Sequence, residues 1–181
     1  MTLDEIVSHY IGHYRDHARA EMRFFEIQHS PSAAIHKAAL CVLPSGKRHP
    51  HQRRIPRAVL ELAEARLQAA AKRIAAASDF AALHDIVERE IGSIRGIGAL
   101  TVYDIAHRLG AHLGKAPALV YLHAGTRTGA AAFGLKGNST DPEELPAPFS
   151  RLAPAEIEDC LCIYKDELRG ARRSYRSSCR T

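Results

Sequence analysis

Tryptophan is absent from the 181-residue chain, and aromatic residues make up only 6% of it. Proteins that hold single-stranded bases stack them on aromatic side chains. This scarcity therefore tilts any nucleic-acid reading towards duplex DNA. Cysteine is also sparse, with Cys41, Cys160, Cys162 and Cys179 as the full set. Their spacing gives neither the paired Cys-x2-Cys of a zinc site nor the four thiolates of an iron–sulfur cluster. With no export signal in view, buried or incidental thiols are expected rather than a disulfide framework. Long hydrophobic runs are missing as well. The longest, Ala38–Leu43 and Ala118–Leu122, fall far short of the roughly 18–20 residues that a membrane span needs. Met1–Glu5 lacks a basic segment leading into an apolar stretch, so no secretory signal is read there. The expectation is a cytoplasmic protein, nucleoid-associated in a bacterial cell, with no membrane partner.

Acid is lacking in particular places. The net charge is only +5, but residues 44–57 carry five Lys/Arg and no acid. Residues 94–137 hold Asp104 as their single acid, and residues 169–181 hold five arginines and none. Acidic stretches lie between these blocks, notably 138–168 with eight acids against two bases. Separate basic blocks of this kind suit a polyanion.

What is present is helical periodicity. Thr2-x-x-Glu5 is a capping-box pattern, and Leu3, Ile6, Val7, Tyr10, Tyr14 and Ala18 follow at helical spacing, predicting a helix over about 3–27. Ser30-Pro31 supplies an N-cap and a first-turn proline for a second helix ending before Pro44. Pro44–Pro56 reads as a basic loop stiffened by three prolines. Pro56 opens an alanine-rich helix to about Ala77, with Leu60, Ala63, Leu67, Ala70 and Ile74 on one face. Ser78 or Asp79 caps the next helix, lined by Phe80, Leu83, Val87 and Ile91. A further helix from Ala99 is closed by Gly110 or Gly114, and a last one runs from Pro154 to about Leu168. No strand pair is predicted. The class is all-α: one helical domain over 1–168, then a flexible basic tail over 169–181.

Nine of the twelve glycines fall between residues 92 and 137. Among them, Ile94-Arg95-Gly96-Ile97-Gly98 sits between two amphipathic helices. This segment resembles the helix-hairpin-helix motif of DNA-binding proteins, whose pattern is close to hydrophobic–x–Gly–hydrophobic–Gly, and the motif covers about 80–113. Two glycines let the backbone turn tightly and remove side chains that would hold a phosphate away. The N–H groups opening the second helix then face that phosphate, with the helix dipole favouring its charge. Arg95, Gly96, Ile97, Gly98 and Thr101 are therefore candidate DNA-binding residues, with Ile97 anchoring the turn. Lys47, Arg48, Arg53 and Arg54 of the basic loop are candidates for backbone contacts elsewhere.

From Phe80 to roughly Leu168 the chain also resembles, more distantly, the helix-hairpin-helix DNA glycosylase superfamily. The resemblance implies a catalytic aspartate at the start of a helix beyond the hairpin, and in bifunctional members a lysine two residues after the second glycine. Here Leu122 or His123 occupies the first position, with Arg127 matching a frequent arginine of that helix, and Leu100 occupies the second. The expected function is DNA binding on a glycosylase-like scaffold without the usual catalytic residues. His123 and Arg127 join the candidate DNA contacts. An enzymatic alternative would use His123 or Asp104 for base-processing chemistry, and a second alternative is a protein–protein interaction module with a protein partner. No cofactor is expected, although the resemblance allows a monovalent cation on the hairpin carbonyls. No metal site is expected either. His9, His13 and His17 recur every four residues but lack the glutamate of a His-Glu-x-x-His motif.

Overall fold

A computed structural model describes residues 1–169. The expected all-α class holds. The backbone is helical with one small two-stranded ribbon. Cys179 and the basic tail, apart from Arg169, lie outside the described residues.

Chain contacts divide the protein into two compact units. The first combines Met1–His17 with the chain from Ala118 onwards, and the second is Ala18–Pro117. In the first, α1 (Leu3–His13) starts at the expected capping box: Glu5 N–H donates to Thr2 Oγ1 at 3.3 Å and Thr2 N–H to Glu5 Oε2 at 2.8 Å. The single helix predicted over 3–27 is broken at Tyr14, whose ring stacks on Tyr10 at 6.2 Å and meets Tyr164 edge-on at 6.1 Å. Beyond the break, α2 (Arg15–Glu26) begins, and the boundary between the units falls within it.

The second unit is built from α3 (Pro31–Ala39), α4 (Arg57–Ala69), α5 (Ala71–Ala75), α6 (Phe80–Ile91) and α7 (Ala99–Leu113). Its caps follow the sequence reading. Ser30 Oγ accepts from Ala33 N–H, and Asp79 Oδ1 accepts from Ala82 N–H at 2.8 Å. The alanine-rich helix predicted to Ala77 is interrupted at Ala70, whose N–H is shared by the Arg66 and Leu67 carbonyls at 3.1 Å each. Leu67 and Ile74 are buried on either side of it. Gly114, at φ +65°, is the residue that closes α7. Gly110 serves packing instead: a Cβ there would come within 3.1 Å of the Phe80 ring.

In the remainder of the first unit, β1 (Val120–Tyr121) is followed by α8 (Ala124–Ala130), β2 (Ser139–Thr140) and α9 (Pro154–Ile163). β1 and β2 pair antiparallel, Val120 opposite Thr140. This strand pair was not expected, because two-residue strands leave too little alternation to register. The core gathers Ile6, Tyr10, Leu122, Phe149, Ile157 and Leu161. α8 lies so close to α9 that a Cβ on Gly129 would reach within 2.9 Å of the Leu161 carbonyl carbon. Cys160 is buried and Cys162 half-buried, neither in a disulfide, and Cys41 is a buried thiol of the second unit.

Candidate nucleic-acid interface

The hairpin belongs wholly to the second unit. α6 ends at Gly92, whose N–H donates to Glu88 O at 2.7 Å. The connection then makes two tight steps, Ile94 N–H to Ile91 O at 3.0 Å and Ile97 N–H to Ile94 O at 2.9 Å. Ile94 and Ile97 are both buried and pin the turn to the core from either side of Arg95 and Gly96, which are exposed. Gly96 has φ +100°, a conformation that only glycine adopts without strain. The Arg66 guanidinium, from α4, donates to Glu90 O at 3.1 Å and Ser93 Oγ at 3.2 Å. The turn is therefore braced by the helix that follows the basic loop.

Gly98 is the N-cap of α7, with extended backbone at φ −109°, ψ 171°. The first hydrogen bonds of the helix run from Thr101 N–H at 2.9 Å and Val102 N–H at 3.1 Å back to Gly98 O. The N–H groups of Gly98, Ala99 and Leu100 precede that first bond, at the positive end of the helix dipole. A Cβ on Gly98 would meet nothing within 4 Å, so the approach to these donors is open on the side of that missing Cβ. Thr101 is buried. Its contribution there is the backbone bond that closes the first turn.

The basic loop enters α4 just where the hairpin sits. Val59, in the first turn of α4, lies 3.7 Å from the position of a Cβ on Gly96. Lys47, Arg53, Arg54 and Arg57 are exposed, and Arg57 is paired with Glu61 at 2.7 Å. Arg48 has a different role. Half-buried, it donates to Ile55 O at 2.7 Å and staples the loop to itself. The hairpin, Arg95 and the end of the basic loop are thus neighbours in one unit. His123 and Arg127 belong to the other unit.

His123 is buried. Its Nε2 lies 2.6 Å from Glu158 Oε1, and Thr126 Oγ1 lies 3.1 Å from its Nδ1 and donates to the same glutamate at 3.2 Å. This closed triangle, with all three residues buried, makes His123 part of the packing between α8 and α9. Arg127 is exposed and donates to Asn138 Oδ1 at 2.6 Å. With Thr128 and Arg169 it lines one cleft.

Asp104 lies in a polar cluster that the sequence reading did not assemble. His49 and His51 flank Pro50 at a short 3-10 turn, Pro50–Gln52, with His51 N–H donating to His49 Nδ1 at 3.2 Å. Gln52 is fully buried; its amide donates to Asp104 Oδ2 and accepts from Arg108 Nη2 at 3.5 Å. His51 Nδ1 stands 3.5 Å from Asp104 Oδ2, and His49 Nε2 stands 3.8 Å from Glu21 Oε1. Arg108, buried over the Phe25 ring, lies 3.9 Å from that same Glu21 oxygen. Burial, with the Arg108 charge alongside, pushes His49 down to about 4. Burial alone would raise the Asp104 carboxyl, but His51, Arg108 and Gln52 outweigh it and hold it below the usual range. Asp104 stood out as the lone acid of a basic stretch. Arg108 lies one turn on in α7, but His51 and Gln52 come from a loop more than fifty residues away, and a single sequence gives no signal for that meeting.

Comparison of the chain with protein-family models, curated proteins and solved structures gives no match.

Proposed function

We propose that this protein binds duplex DNA through its second unit, with the open N-terminus of α7 taking a backbone phosphate. The observation that carries the reading is the hairpin geometry. A glycine at φ +100° between two buried isoleucines delivers the chain to an N-cap glycine whose missing side chain leaves the first helical N–H groups approachable. Arg95 lies two residues before the turn ends, and the loop bearing Lys47, Arg53 and Arg54 leads into the helix beside it. Phosphate contacts of this kind position a duplex without reading its sequence. Binding is therefore sequence-tolerant and steeply dependent on salt.

The test is fluorescence anisotropy of a labelled duplex titrated with the full chain at several salt concentrations. The expected result is micromolar or tighter binding at low salt, with log K falling linearly against log salt by about 0.9 per phosphate contacted. Absence of binding at low salt overturns the proposal.

A further inference from the structure

We infer that His49, His51 and Asp104 form a binding site for one divalent transition-metal ion, with Zn2+ as the natural occupant by ligand chemistry. One donor atom from each of the three residues lies within 4.8 Å of the others. The His51 Nδ1 to Asp104 Oδ2 separation of 3.5 Å is already close to the roughly 3.3–3.4 Å edge of a tetrahedron with bonds of about 2.0–2.1 Å. Two imidazoles and a carboxylate are a donor set for zinc and its neighbours, whereas magnesium and calcium take oxygen ligands.

The surroundings have what such a site needs beyond its ligands. Pro50 restricts the backbone between the two histidines, so little entropy is lost in bringing their rings together. Gln52 is fully buried, and its amide holds Asp104 from one side while Arg108 holds the amide from the other. Such outer partners orient a ligating carboxylate and are part of a working site. Glu21, 3.8 Å from His49, supplies a second carboxylate at the edge of the cluster. With Asp104 it offsets the positive charges of Arg108 and of Arg48, the residue before His49. The His51 side chain is 47% exposed, which gives an ion a way in. A metal held here joins the basic loop to α7, the helix whose N-terminus carries the proposed phosphate contact. The inference does not depend on DNA binding, and its test contains no DNA.

The experiment is titration of the chelator-stripped full chain with Zn2+ by calorimetry and with Co2+ by visible absorption. The expected result is one equivalent per chain with micromolar or tighter affinity, and cobalt bands of a low-coordinate nitrogen–oxygen site. His51→Ala, at a half-exposed position, is expected to keep its circular dichroism spectrum and to lose at least about tenfold in affinity. Asp104→Asn is expected to weaken binding in the same direction. The double variant His9→Ala, His13→Ala, which removes the stacked histidine pair of α1, is expected to bind as the wild type does. The inference is overturned by absence of Zn2+ and Co2+ binding in the folded wild type, by affinity unchanged in His51→Ala, or by affinity lost in the α1 variant instead.

Discussion

Replacing Gly98 by serine separates the proposed phosphate contact from the stability of the fold. Gly98 has ordinary extended backbone, and a Cβ there meets nothing within 4 Å, so the protein itself has room for the side chain. Serine is also a favoured N-cap, and its hydroxyl would accept from the N–H of Leu100 or Thr101, stabilising the helix by a few tenths of a kcal/mol relative to glycine. The urea midpoint is thus expected to stay the same or rise slightly. For a bound phosphate the same change is costly. The hydroxymethyl group stands where the phosphate would approach and engages one of the donors it would use. Loss of one charge-assisted hydrogen bond is worth about 1.5–3 kcal/mol, or roughly tenfold to hundredfold in Kd. Anisotropy titration of wild type and Gly98→Ser against one labelled duplex, at one salt concentration, reads this directly. Gly96→Ala is a poorer probe. At φ +100° a Cβ costs about 1–2 kcal/mol of backbone strain, so stability falls along with any effect on binding. Equal DNA affinity in wild type and Gly98→Ser would refute the argument that the α7 N-terminus holds a phosphate.

Other expectations follow from the same geometry. Arg53→Gln combined with Arg54→Gln should reduce the slope of log K against log salt by about two while leaving thermal melting unchanged. His123→Ala strands the buried Glu158 carboxylate with Thr126 as its remaining neighbour from the triangle; urea denaturation should show a loss of about 3–5 kcal/mol, with DNA affinity per folded molecule unaltered. Gly129→Ala drives a methyl group into the backbone of Leu161 and should cost about 1–3 kcal/mol in the same assay. Burial, with Asp159 alongside, pushes the Cys160 thiol up to about 12, leaving a negligible fraction of reactive thiolate at pH 8. Iodoacetamide on the native protein should label half-buried Cys162 well before Cys160, as read by peptide mass spectrometry.

Much of the helical framework is legible because its signals are local. Thr2, Ser30 and Asp79 cap helices through hydrogen bonds spanning three residues, and the buried face of α6 follows from Phe80, Leu83, Val87 and Ile91. The breaks at Tyr14 and Ala70 are not legible, since neither residue disfavours a helix. Tyr14 is held by rings from Tyr10 and Tyr164, and at Ala70 the step shows only in an N–H shared by two carbonyls. The same distinction holds at the candidate sites. The hairpin is local, and its glycines and isoleucines can be read in order. Arg48 reads as a free cation, and only the folded loop reveals its bond to Ile55 O. The cluster around Asp104 draws on α2, the loop at Pro50 and α7. Its histidines pass unnoticed beside the arginines that surround them in the chain.

The division of the chain into units has a consequence for the order of folding. The second unit is one uninterrupted stretch, and its helices meet partners already synthesised nearby. The first unit must bring Ile6 and Tyr10 together with Leu122, Phe149 and Ile157, contacts that span more than a hundred residues. Closing so long a loop carries an entropic cost that nearer contacts avoid. On a growing chain, α1 therefore carries an unsatisfied apolar face until α9 has been made. The hairpin unit can reach its final form while the helix synthesised first still waits for the last.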